Sequence, residues 1–108
     1  MTNLARLRFL LEHIHNYENC LEILQESYKL FECPEGWFFA QLHRAILALI
    51  DHPDTFYGVR DARLSPILEA IALAATHGIA AIELGDKQEL QRAGQELESA
   101  TKPGAPES

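Results

Sequence analysis

Cysteine, positive charge and uninterrupted apolar runs are all scarce in this chain, and each shortage excludes a class of protein. Two cysteines cannot build a disulfide-dense secreted scaffold, which needs several bridges in place of a core. Nine Lys and Arg stand against sixteen Asp and Glu, a net charge of −7. Proteins that hold nucleic acid neutralise its phosphates with cations, so this balance argues against direct nucleic-acid binding. Arg60 and Arg63, the basic pair of one loop, are too few to hold a phosphate backbone. What is present is ordinary globular material: 108 residues, 47% hydrophobic and 23% charged. That length and composition predict one folded domain and exclude wholesale disorder.

Two stretches invite a membrane reading. Arg6 and Arg8 precede Phe9, Leu10 and Leu11, but Glu12 and His13 end the run at once. That is too short for the apolar region of a signal peptide. Ile67 to Leu84 is longer, yet it contains Glu69, Thr76, His77, Gly78 and Glu83. A charged residue near the centre of a spanning helix costs about 2.5 kcal/mol or more. The expectation is a cytoplasmic chain with no membrane span, in which Cys20 and Cys33 are reduced thiols.

Helical periodicity runs from Asn3 to about Ala100, and alternating strand-like patterns do not occur. The first helix is expected to start at an Asn3 cap and to run unbroken to Glu32. Leu4, Leu7, Leu11, Ile14, Tyr17, Leu21, Leu24, Tyr28 and Phe31 recur along it at steps of three and four, close to a heptad seam. Such a helix would be about 42 Å long, and its weak point is Asn16 to Asn19, where helix propensity is lowest. A second stripe, Cys20, Ile23, Ser27 and Leu30, lies beside the first. Together the two are wider than one neighbour requires, which calls for a second neighbour in this chain or another.

Cys33-Pro34-Glu35-Gly36 breaks the pattern. The second helix carries Phe39, Leu42, Ile46 and Leu49 as core positions and ends at Asp51-His52-Pro53. Asp54 to Leu64 reads as a loop. Ser65 as cap and Pro66 at the first position start the third helix, which stops at Gly85. It is apolar nearly all round and is expected in the centre of a bundle, or between two chains. Asp86 and Glu89 have capping-box spacing for a fourth helix along Leu90, Ala93, Gly94 and Leu97. The fold class is therefore all-α, a small bundle of about four helices with a long N-terminal one. Residues 1–100 form the single helical domain, and 101–108 form a flexible tail.

The search for chemistry returns little. Glu12 and His15 have the Glu-x-x-His spacing of di-iron bundles, but the second such motif is missing, so no metal is expected. His77 on the apolar third helix reads as a core or interface histidine, and His43 beside Arg44 as a surface one. Cys20 and Cys33 lie about 19 Å apart on a continuous helix, too far for a disulfide. No serine has a nucleophile-elbow context and no glycine loop could cradle a phosphate. Neither a catalytic residue nor a cofactor is expected. Glu18, Glu22 and Glu26 form an i,i+4 row that reads first as a solvated face and second as a means of steering a basic partner. Gly78 and Gly94 read as points of close helix packing.

A chain with surplus apolar helical surface and no chemistry to protect fits a protein whose product is a surface. It is expected to act as a non-enzymatic, protein-binding regulator and as a homodimer, since a symmetric pair is the commonest way to bury such a stripe. Trp37, Phe38 and Phe39 cannot all face one neighbour. Trp37 and Phe38, with Leu4, Leu7, Ile23 and Leu30, are the candidate contacts to a partner. The alternatives are an immunity-type or structural subunit, and a bundle that binds a small ligand or metal. The long Asn3 to Glu32 helix, the Cys33-Pro34-Glu35-Gly36 break and the short, acidic, all-helical chain resemble small bacterial antiactivators. Those proteins bind quorum-sensing transcription regulators and keep them from DNA. The resemblance is one of size, charge and layout over most of the chain and rests on no diagnostic motif, so no residue role transfers. It implies negative regulation, in which an apolar helical face covers the regulator's dimerisation surface and acidic groups assist.

Overall fold

Thr2, rather than Asn3, caps the first helix: its hydroxyl accepts the Ala5 N–H at 3.1 Å. The computed structural model describes residues 2–13, 17–51 and 64–101, and all the regular structure among them is helical. The elements are α1 (Asn3–Glu12), α2 (Tyr17–Tyr28), α3 (Gly36–Asp51), α4 (Leu64–Leu84) and α5 (Lys87–Thr101). The all-α class holds, with five helices in place of about four. The expected loop at 54–64, Leu64 excepted, and nearly all of the expected tail lie outside the described residues.

The expected continuous first helix is instead two. The ion pairs state this most directly. Arg6 on α1 reaches Glu22 at 3.7 Å and Glu26 at 3.3 Å on α2. In one straight helix those side chains would start about 24 and 30 Å away, so α2 folds back on α1. The reason is burial. Leu7, Leu10 and Leu11 of α1 and Cys20 and Ile23 of α2 are all buried in one core. A radius of gyration of 13.2 Å leaves no place for a helix of about 42 Å.

The connection from α2 to α3 is a chain of tight turns. Leu30 N donates to Ser27 O, Phe31 N to Tyr28 O, Cys33 N to Leu30 O and Gly36 N to Cys33 O, at 2.8–3.3 Å. At position 36 only glycine fits, because a Cβ would stand 1.9 Å from the Phe31 carbonyl oxygen. The turn from α4 to α5 is sharper still. Gly85 adopts φ +73°, its N–H donates to Ile82 O, and the Asp86 N–H donates to Ala81 O. These are the two bonds of a Schellman ending. Asp86 then caps α5 through its own carboxylate, which accepts the Glu89 N–H at 3.1 Å. The third expected helix corresponds to α4 and starts at Leu64, one residue before its expected cap.

The core is built around α3, which packs on α2, α4 and α5, while α1 packs on α2 and α4. Phe38 and Phe39 are both buried, with ring centroids 5.7 Å apart in an edge-to-face arrangement. Phe38 is seated on α4 at Gly78, where an added Cβ would meet its ring at 2.0 Å. Trp37 lies over Gly94 of α5, where a Cβ would meet its ring at 2.9 Å. Both glycines are thus points of close packing. By contrast, α4 is not enclosed as its composition suggested. It buries Ile71, Ala74, Ala75, Gly78, Ile79 and Ala81, but Leu73 and Leu84 face solvent.

Two stability predictions follow from these contacts. Gly78→Ala should destabilise the fold by about 1–3 kcal/mol although alanine is the better helix former by about 1 kcal/mol, because the ring has no room to retreat. Chemical denaturation of the purified variant reads this directly, and a stabilised variant would show that Phe38 is free to move. The Glu26 carboxylate is buried and Glu83 is half exposed. Arg6→Ala should therefore cost more than Arg8→Ala, the first by about 1–2 kcal/mol and the second by less than about 1 kcal/mol.

Candidate protein-docking surface

The α2 helix presents two apolar stripes, and the fold buries the narrower one. Cys20, Ile23 and Ser27 face the core. Leu21 and Tyr28, expected on the core seam, turn outward, while Leu24 packs against the core as expected. Tyr28 is 66% exposed, Leu21 38%, and Leu24 is half-buried. Tyr28 is the start of a ring cluster that continues onto α3. Its ring lies 5.2 Å from Phe31 and 6.4 Å from His43, and Phe31 meets His43 edge-on at 5.2 Å. Leu47, one turn beyond His43, is 40% exposed. Tyr28, Phe31 and His43 thus form an aromatic cluster where the end of α2 meets α3, with Leu21 of α2 and Leu47 of α3 also exposed. Exposed apolar and aromatic groups of this kind are what docking sites are made of.

The face is held from beneath. Ser27 is fully buried; its hydroxyl donates to Leu24 O at 3.1 Å, and its oxygen lies 3.3 Å from His43 Nδ1. Both contacts are satisfied when the imidazole carries its proton on Nδ1 and donates to Ser27. The pair therefore locks the orientation of the His43 ring and leaves the serine with no reactive lone pair toward solvent. This is a positioning contact, not the geometry of an activated nucleophile.

The acidic row is different from its solvated reading. Glu26 is buried and its Oε2 accepts from Lys29 and forms an ion pair with Arg6 Nε, each at 3.3 Å. Its Oε1 is buried with no partner. Glu22 shares Arg6. Part of the row therefore ties α1 to α2; the side chain of Glu18 lies outside the described residues.

The expected contact residues divide. Leu7, Ile23 and Phe38 are fully buried in the chain's own core, so they are not available to a partner. Periodicity alone ranked Phe38 as surplus because it could not see α4 on the other side of α3. Leu4 and Leu30 are half-buried and pack on the core edge. Trp37 is 47% exposed, with the edge of its ring over Gly94. Tyr28, Leu21 and Leu47 were missed as surface residues. The excess width of the two α2 stripes was the one signal that pointed to them.

Elsewhere, His77 is exposed rather than in the core, and its Nδ1 lies 3.1 Å from Glu96 of α5. His13 turns back onto its own helix end, with Nδ1 2.9 Å from Phe9 O and its ring over Phe9. No group of three or more potential metal ligands occurs among the described residues; His15 lies outside them. Ile67–Leu84 is the one stretch among the described residues long and apolar enough to cross a membrane. In comparison with known proteins, no protein-family model, no curated protein and no solved structure matches this chain.

Both cysteines are free thiols. Burial pushes the Cys20 thiol above its ordinary value of 9.0, because a thiolate there would lose its hydration. A folded-state value above the unfolded one means that this group's contribution to stability is complete below about pH 9 and is lost as pH rises through the folded value. Native protein should therefore react with a thiol reagent at Cys33, which is half-buried, and at Cys20 only at the rate of unfolding. Peptide mapping of the labelled protein checks the order; equal labelling would show that the α2 side of the core opens readily.

Proposed function

We propose that this chain is a non-enzymatic, protein-binding regulator that sequesters its partner through the α2–α3 face. The observation that carries this reading is the exposure of Leu21, Tyr28 and Leu47 around an ordered aromatic cluster. Leaving such groups in water costs roughly 25 cal/mol for each Å² of apolar surface. A partner that covers them recovers that energy. The aromatic groups are also rigid, so little entropy is lost when they are covered. The partner class that fits the acidic, all-helical layout is a transcription regulator whose dimerisation or DNA binding is blocked by cover, an antiactivator-like role. A cytoplasmic setting belongs to the same proposal. The chain's net charge of −7 would assist by speeding encounter with a basic partner rather than by holding it.

Ile23 is a poor probe of this reading, because a charge there would disrupt the core. The direct test uses Tyr28→Asp and Leu47→Asp, which alter exposed side chains and should keep the helical content of the parent. Tagged protein is used to capture partners from its own cell lysate, and the captured protein is then purified and titrated. One stoichiometric partner, bound at least about tenfold more weakly by either variant, is the expected result. If that partner is a transcription regulator, its operator binding should be lost as the complex forms, which fluorescence anisotropy reads. A partner bound equally well by both variants would move the docking site off this face.

A further inference from the structure

Resting on the α2–α3 docking reading, we propose that the Tyr28, Phe31 and His43 cluster receives an arginine side chain of the partner protein. Its guanidinium lies against the rings and donates to His43 Nε2. The state of the imidazole is set from beneath. A hydroxyl has one hydrogen, and that of Ser27 goes to Leu24 O at 3.1 Å. Toward His43 Nδ1, 3.3 Å away, the same oxygen can only accept, so Nδ1 carries the ring proton. In the neutral imidazole Nε2 is then an acceptor. It is not used within the chain, since the hydrogen bonding of the His43 ring among the described residues ends at Ser27. Nor is it sealed off: a buried, unpartnered side-chain atom occurs at Glu26 Oε1 and not at the half-buried His43.

An open acceptor within a docking surface restricts what can cover it. An apolar anchor would bury Nε2 without a partner and strip its hydration. A carboxylate would set a second acceptor against the first and against the negative faces of the rings. The group that fits is a donor, and the rings select a flat, cationic one. Tyr28 is 66% exposed. Its ring centroid lies 5.2 Å from that of Phe31 and 6.4 Å from that of His43, and the Phe31 and His43 planes stand 79° apart. A guanidinium can lie on an aromatic face while its N–H groups donate in its own plane. A lysine ammonium is a compact, strongly hydrated charge and gains less from the same rings.

Charge points the same way. The chain carries −7, and the turn that holds Phe31 also holds Glu32, which is exposed, and Glu35, which is half-buried. Two cations of the chain stand nearby in sequence. Lys29, next to Tyr28, is held by the buried carboxylate of Glu26 at 3.3 Å. Arg44 follows His43 but leaves α3 about 100° further round the helix, so it flanks the cluster. An incoming arginine thus meets rings, an acceptor and an acidic turn, and the net charge of the chain speeds its approach.

Random peptides displayed on phage and panned against the full chain are the test, with the best-enriched sequence then synthesised and titrated by fluorescence anisotropy. The enriched peptides should share an arginine, and replacing it by leucine should weaken binding to the parent at least about tenfold. The same replacement should matter at most about threefold to His43→Phe, which keeps a ring but has no Nε2. Tyr28→Leu, altered at an exposed position, should show a similarly reduced dependence. A purely structural role for either residue would weaken both peptides alike and leave their ratio unchanged, so an unchanged ratio in both variants overturns the proposal. Enriched peptides that lack arginine, yet lose binding to Tyr28→Asp and Leu47→Asp, overturn the arginine anchor while the docking face stands. Peptides bound equally by both Asp variants, or no enrichment at all, overturn the face itself and the anchor with it.

Discussion

The fold-back of α2 onto α1 decides which side of α2 is buried, and the rest of the surface follows from that choice. Once Arg6 reaches Glu26 across the pair, Ile23 and Cys20 face the same interior as Leu7, Leu10 and Leu11. Leu21 and Tyr28, roughly 140–160° around the helix from Ile23, are then left exposed. Glu26 is part of the same arrangement. A buried carboxylate is costly unless cations and donors satisfy it, and Arg6 and Lys29 satisfy one oxygen only. The contact therefore specifies the α1–α2 docking more than it strengthens it.

A second constraint operates between α3 and the C-terminal pair. Gly78 and Gly94 allow Phe38 and Trp37 to lie directly on α4 and α5. Consecutive aromatics thus point to different helices, and α3 can serve as the centre of the bundle with neighbours on three sides. This close approach is also why α4 is displaced to the outside. The side carrying Gly78, Ile71 and Ala75 is drawn onto Phe38, and the side carrying Leu73 and Leu84 is left in solvent. The molecule ends with two apolar surfaces, one on α2–α3 and one on α4. They differ in chemistry. The first is aromatic and edged by charge; the second is aliphatic, with His77 along it and Glu69 and Glu83 exposed beside it.

The all-α class, the break at residues 33–36, the Gly85 stop and the Asp86 cap were legible in the sequence, because each depends on local physics. Backbone conformation at a glycine, a carboxylate within reach of free N–H groups and the period of the apolar positions need no knowledge of distant residues. The same holds for the prediction that the apolar helical surface exceeds what one neighbour needs. What only the tertiary structure decided is which side of each helix is the surplus. Periodicity placed Leu21 and Tyr28 in the core and Phe38 on a surface. The fold reversed both, since burial is a property of the neighbours and not of the stripe. Continuity of the first helix was misread for a related reason. Helix propensity at Asn16 to Asn19 differs from that of its neighbours by only a few tenths of a kcal/mol per residue, while folding α2 back buries several large side chains, each contributing about 1.5–3 kcal/mol.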